Sequence, residues 1–251
     1  MQNLYGPVRA QYPDGNSEDS SRRKRNETCI QALVDNSQVN PDPYLPPPGL
    51  SFVDHDNRHA ITLLSRPPHD VISVINTVQY RLGSVAQVWF PGNDLLHLTL
   101  MEIIHSQPEA ELARYVDNHD LKGVLKSVDN LLQERQFKLH APSVSIDANG
   151  IALSFVTAPD SGVPSSGHLR YDLFNVLTSA GITPAPRYAG PSCHVSLGRY
   201  SQVLTQSEIQ ALIGEVSKLN GWLADEKVCW TIDKAQFTIG KTWYGGGDRI
   251  D

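Results

Sequence analysis

The chain reads as two diverged copies of one plan, and that repeat constrains its fold more than any other feature. Each copy runs strand, helix, glycine, then an apolar strand carrying a histidine with a hydroxyl two residues on. The first such strand holds His97-Leu98-Thr99-Leu100 and the second His194-Val195-Ser196-Leu197. Gly83 stands 14 residues before His97, and Gly181 stands 13 before His194. In the first copy 59–64 reads as a buried strand. Val71, Val74, Ile75, Val78 and Leu82 recur at helical spacing and predict a helix over 70–82. A strand over 85–90, a turn at Pro91-Gly92-Asn93-Asp94 and the motif strand over 95–104 follow, then helical sequence over 109–134. In the second copy, strands over 137–146 and 151–157 flank the hairpin signal Asn149-Gly150. Leu169, Leu173, Val176, Leu177 and Ala180 predict a helix over 166–180. The second motif strand spans 193–200, with a helix over 206–223 and strands over 228–233 and 235–243. Gly245-Gly246-Gly247 reads as a flexible tail. Two similar lobes facing each other would place the two histidines across a shared cleft.

The 251 residues are 40 % apolar and 19 % charged, enough for one large domain or two small ones with a sizeable core. Residues 1–50 depart from this pattern. They carry Asp14-Gly15-Asn16-Ser17-Glu18-Asp19-Ser20-Ser21, the basic run Arg22-Arg23-Lys24-Arg25, and Pro41, Pro43 and Pro46-Pro47-Pro48. Few apolar positions recur there, so the segment reads as an extended or flexible arm beside a single bilobal domain over 51–251. The basic run reads as a solvated charge cluster, with a nuclear address or nucleic-acid patch as the alternative. No apolar run is long enough to span a bilayer. The first residues lack a signal peptide's apolar core, so the expected location is intracellular, cytoplasmic or nuclear. Cys29, Cys193 and Cys229 are odd in number and far apart, suggesting neither a disulfide framework nor a zinc site. Cys193 adjoins His194, but strand alternation points it the other way, as a buried structural cysteine. The net charge of −6 argues against a broad nucleic-acid surface and leaves room for a local positive pocket.

Alternation along a strand puts His97 and Thr99 on one face and Leu98 and Leu100 on the other; His194 and Ser196 separate from Val195 and Leu197 in the same way. A histidine followed at +2 by Ser or Thr arises by chance about once in eight. Nine histidines therefore give about one match, and the chain has two, at equivalent places in its two halves. Two core histidines, each satisfied by a neighbouring hydroxyl, is the bland alternative. Two proton-transfer groups with hydroxyl donors beside them are what a metal-free attack on a phosphodiester needs. His55 and His59, with Asp54 and Asp56 near, could hold a metal but fit a solvated loop better. There is no Gly-x-Ser-x-Gly elbow, no P-loop and no Gly-x-Gly-x-x-Gly.

These residues resemble the two-histidine (2H) phosphoesterase superfamily, whose signature is two His-x-Ser/Thr-x tetrapeptides in two pseudo-symmetric lobes. The resemblance covers about 50–251. It implies an α+β fold, bilobal and pseudo-symmetric, with two antiparallel sheets facing across a central cleft and helices on the outside, and a hydrolase acting on phosphodiester bonds, of the 2′,3′-cyclic-nucleotide phosphodiesterase type, with no metal or other cofactor. It assigns His97 and His194 as the catalytic pair and Thr99 and Ser196 as phosphate-binding hydroxyls. The implied substrate is a small nucleotide or RNA-end cyclic phosphate; separately, a monomer with no membrane partner is expected. Two alternatives stand beside it: a nucleotide-binding module on the same fold without turnover, and an RNA 3′-end trimming exonuclease, which would want a basic track. Further candidates for substrate contact are Tyr200, in phase with His194 and Ser196, and Trp243 and Tyr244, which could stack on a base. Arg187 and Arg199 could meet a phosphate.

Overall fold

The computed structural model describes residues 2–45, 58–187, 189–241 and 244–250. In chain order the elements are α1 (Gly6–Gln11), α2 (Gly15–Asn36), β1 (His59–Ser65), α3 (His69–Gly83), β2 (Val88–Trp89), β3 (Leu98–Gln107), α4 (Glu109–Asp117) and α5 (Leu121–Arg135). Then come β4 (Phe137–Asp147), β5 (Gly150–Thr157), α6 (Ser166–Ser179), β6 (Cys193–Tyr200), α7 (Gln206–Asp225), β7 (Cys229–Ile232), β8 (Gln236–Gly240) and β9 (Asp248–Ile250). None of these helices is long and apolar enough to cross a membrane.

The strands form two antiparallel arrays. One lobe has the order β3-β1-β8-β9 and the other β7-β4-β5-β6. The two expected sheets therefore exist as lobes, but they are continuous: β3 and β6 pair at Leu98↔Val195 and join them into one nine-stranded sheet, with β2 alongside β6. The fully buried centre of β1, Ile61 to Leu64 with Thr62 at 6 % exposure, is the apolar spine of the first lobe. The α3 stripe of Val71, Ile75, Val78 and Leu82 is wholly buried, each side chain contributing about 1.5–3 kcal/mol. Helix α3 packs against β6 and α7, whereas α6 packs against β3 and α5. Helices thus cross between lobes and brace the junction. The expected glycine stops differ in kind: Gly181, at φ +80°, ends α6, while α3 runs through Gly83 itself.

The N-terminal segment is not an extended arm as far as residue 45. Asp14 and Ser17 form a capping box that opens the 22-residue α2. This helix carries no apolar stripe; charged and polar side chains dock it instead. The buried Glu18 carboxylate accepts hydrogen bonds from Thr157 N (3.0 Å) and Oγ1 (2.8 Å) and from Ser166 N (2.6 Å) and Oγ (2.5 Å). Arg22 is also buried and donates to the carbonyls of Ala141 and Ser154 while pairing with Asp19. One member of the basic run is therefore a structural anchor, not a solvated charge. Helix α1 packs on α6, with Arg9 lying 3.7 Å from the Tyr171 ring centroid. The glycine-rich end is not a tail either. It turns back so that β9 pairs with β8 from Phe237↔Ile250 to Ile239↔Asp248.

Candidate active site

The bridge between β3 and β6 sets the geometry of the motifs. With Leu98 opposite Val195 in antiparallel register, His97 falls opposite Ser196, and Thr99 opposite His194. Leu98 and Val195 are fully buried. The four motif side chains are half-buried on the other face, where they line one cleft together with Arg170, Arg187 and Arg199. Each histidine therefore sits across from the hydroxyl of the other lobe.

A bulge follows the motif in each lobe. Leu63 pairs with Met101 and Leu64 with Thr99, so β3 carries one extra residue; Ile151 pairs with Gly198 and Ala152 with Ser196, so β6 does the same. An extra residue shifts the alternation by one. This brings Glu102 and Arg199, each five residues after its histidine, onto the cleft lining. The same shift turns Tyr200 away. Its ring is fully buried and its hydroxyl donates to the Asp147 carbonyl at 3.1 Å. The in-phase expectation for Tyr200 fails because the bulge lies between it and Ser196. Gly198 belongs to the same device: a Cβ there would lie 2.5 Å from Val88 Cγ1, so only glycine admits β2 alongside β6.

His97 Nδ1 donates to the Leu95 carbonyl at 2.9 Å. A carbonyl only accepts, so Nδ1 carries the proton and Nε2 is left to exchange one. The glycine-rich turn holds this arrangement. A Cβ on Gly245 (φ +85°) would sit 1.8 Å from the Leu95 oxygen and 2.7 Å from His97 Nδ1. Arg66 ties the same pieces together by donating to the carbonyls of Asp94, Leu96 and Gly245. On the opposite lobe, His194 Nδ1 is 2.9 Å from Ser192 Oγ. Ser192 in turn is held by Arg170, a buried guanidinium that donates to the carbonyls of Thr99, Leu100, Gly190 and Ser192. One side chain from α6 thus spans β3 and the loop leading into β6.

Arg170's hydrogen bonds go to backbone carbonyls, so its charge adds directly to the cleft potential. Burial lowers the His97 pKa to about 4; the Leu95 hydrogen bond opposes this, and the charge of Arg66 adds to it. Burial also lowers His194 to about 4, reinforced by Arg170, His97, Arg25 and Arg199. A chain of net charge −6 therefore holds a cationic cleft. Arg187 pairs with Glu102 at 3.5 Å, and its backbone N–H donates to the same carboxylate at 3.0 Å. This fixes the proline-rich loop against the bulge of β3.

Tyr244 lies beside the motifs. Its hydroxyl donates to Asp42 at 2.8 Å, and its ring meets Trp89 edge-on at 5.6 Å. Trp89, Pro91 and Tyr244 form a recess against His97, Ser196 and Arg199. Trp243, and His55 with its neighbouring aspartates, lie outside the described residues. Cys193 is buried on the face away from the cleft, and the same desolvation raises its pKa to about 11. Arg66, Arg170, Ser192 and Gly245 went unrecognised in the sequence. The arginines sit among ordinary helix and strand-end residues, and the spacing of Gly245 showed only a break in regular structure. Among the described residues, no group of three or more His, Cys, Asp or Glu side chains gathers as a metal site.

No family model matches the chain, and no curated protein matches it. Two solved structures of Usb1 from Kluyveromyces marxianus are similar to it. The one with uridine monophosphate is 15 % identical, over 77 % of this chain and 97 % of that one; the other is 16 % identical, over 78 % and 97 %. The TM-score is 0.36 for both.

Proposed function

We propose that this protein is a metal-independent phosphodiesterase that opens 2′,3′-cyclic phosphates of nucleotides or RNA ends by two-histidine general acid–base catalysis. The observation that carries this reading is the crossed pairing: His97 faces Ser196 and Thr99 faces His194 across the β3–β6 bridge. An anion held between the two strands is flanked by a proton-transfer group on each side and a hydroxyl donor on each side.

In the reaction, a neutral imidazole takes a proton from water as the oxygen attacks phosphorus. The bond from phosphorus to one ribose oxygen breaks in line with the attack. The second imidazole, protonated, delivers its proton to that leaving oxygen. Thr99 and Ser196 donate to the non-bridging oxygens, where charge accumulates. Each proton transfer contributes about 10²–10⁴ in rate. Burial makes both histidines favour the neutral form. The substrate's own negative charge offsets Arg170 and Arg199 and favours the imidazolium that the reaction needs. A site built only to bind would not require two such groups.

Incubation with the four nucleoside 2′,3′-cyclic phosphates, with the 2′- and 3′-phosphate products resolved, tests the reading. Calorimetric binding of a mononucleotide without turnover of any of the four would replace the hydrolase by a binding module.

A further inference from the structure

The cleft does not end at the motifs. His194, Ser196 and Arg199 also border a second groove that runs over the inner face of the other lobe. Its floor is the strand face that continues from the motif: Ser154 pairs with His194, Ala152 with Ser196, and Ser145 with Ala152. Its far wall is α2, through Arg25, Asn26 and Cys29. One helix therefore lies on the cleft side of the sheet, where all helices were expected outside. Arg22 on the same side of α2 is pinned to the Ser154 carbonyl at 3.1 Å, which fixes where Arg25, one turn on, presents its charge. Arg199 enters the groove because of the bulge in β6, and its Nη1 donates to the Asn149 carbonyl at 3.3 Å.

The geometry points to a second, phosphate-binding subsite formed by Arg25 and Arg199, which takes the backbone of an oligonucleotide whose 3′ end lies between the two histidines. This rests on the proposed phosphodiesterase reading and adds that the preferred substrate is a strand end, not a mononucleotide. From β6 across β5 to β4 is two strand spacings, roughly 10 Å. At about 3.4 Å per stacked residue that admits two to three nucleotides. Serines, Asn26 and the two arginines supply the polar contacts a sugar–phosphate backbone requires, and the Asp147 carboxylate on the same lining accepts from the backbone N–H groups of Asn149 and Gly150. The acidic remainder of the chain limits the contact to this short track.

The test is calorimetry with a short RNA tetranucleotide carrying a terminal 3′-phosphate, against a nucleoside 3′-monophosphate, over about 50–200 mM salt. The tetranucleotide is expected to bind roughly tenfold more tightly. Arg25→Ala should cut that preference to about twofold or less and lower the slope of log K against log salt by about 0.7, the loss of one single-strand phosphate contact. Arg25→Lys should keep the slope. Lys24 is exposed, does not border the groove, and removes the same formal charge when replaced. Lys24→Ala should keep both the preference and the slope. Equal affinity for the two ligands, or equal losses in Lys24→Ala and Arg25→Ala, would overturn the subsite. Hydrolysis of a cyclic mononucleotide is read separately. Turnover without a tetranucleotide preference sinks the groove alone, and an Arg25-dependent preference without turnover sinks the hydrolase alone.

Discussion

Gly245→Ala is the substitution whose consequence the structure specifies most closely. The new Cβ would lie 1.8 Å from the Leu95 carbonyl oxygen, whereas real Cβ atoms essentially never approach within 3.0 Å. The turn and the 95–97 segment must separate by about 1.2 Å. That carbonyl accepts the His97 Nδ1 proton at 2.9 Å, so such a shift breaks the bond. That hydrogen bond is worth about 0.5–1.5 kcal/mol with the ring neutral and about 1.5–3 kcal/mol once the ring is protonated, and an ångström of misplacement at a reacting group costs about 10²-fold. We expect kcat for a cyclic nucleotide to fall about 10²-fold. The φ of +85° adds roughly 1–2 kcal/mol of backbone strain, which in a domain of this size lowers Tm by about 2–8 °C. Steady-state kinetics beside a thermal melt separates the two effects. A variant with the lowered Tm but kcat within threefold of wild type would show that the glycine turn does not govern His97.

The remaining predictions concern charge, pH and docking. Thr99→Val and Ser196→Ala should each lower kcat about 10²–10³-fold with little change in KM, since these donors act where charge develops; a loss confined to KM would make them ground-state contacts. His97 and His194 sit at about 4 when folded against about 6.5 unfolded. The unfolded chain therefore binds protons first: stability is full above about pH 6.5 and falls as the pH drops toward 4. Melts should show Tm declining from pH 7 to 5, with a shallower decline in the His97→Asn, His194→Asn double variant; identical slopes would refute the assignment. Because bound phosphate favours the imidazolium, the optimum of kcat should lie at higher pH than that of kcat/KM, and coincident profiles would count against it. Glu18→Ala removes the acceptor of four buried donors, of which Ser166 Oγ alone keeps a second partner, the Pro191 carbonyl; it should cost about 3–5 kcal/mol, or roughly 6–20 °C in Tm. A change under 2 °C would mean that α2 is not held by that carboxylate.

What was legible in the sequence follows from which forces build each part. The lobes are built by apolar burial at regular period, and the stripe Val71, Ile75, Val78, Leu82 and the runs around His97 and His194 show it directly. Helix α2 is built by Glu18, Arg22 and a capping box, and among its apolar residues only Leu33 is buried. Hydropathy is silent on such a helix, so it read as an arm. The paired histidines were legible as a pattern because each recurs with a hydroxyl two residues on within an apolar strand. The bulges in β3 and β6 were not, since an extra residue leaves no mark on composition. They decide that Arg199 faces the cleft and Tyr200 the core. Arg170 escaped notice because its partners are backbone carbonyls from β3 and the loop before β6, which no sequence pattern brings together.

The central claim is that two histidines, without a metal, open a cyclic phosphodiester in this cleft. The direct measurement is turnover of nucleoside 2′,3′-cyclic phosphates in EDTA by the wild-type protein, His97→Ala and His194→Ala. The account predicts full wild-type turnover in the chelator and a loss of about 10²–10⁴-fold in each variant. Turnover abolished by EDTA, or near-normal turnover in both variants, would contradict it.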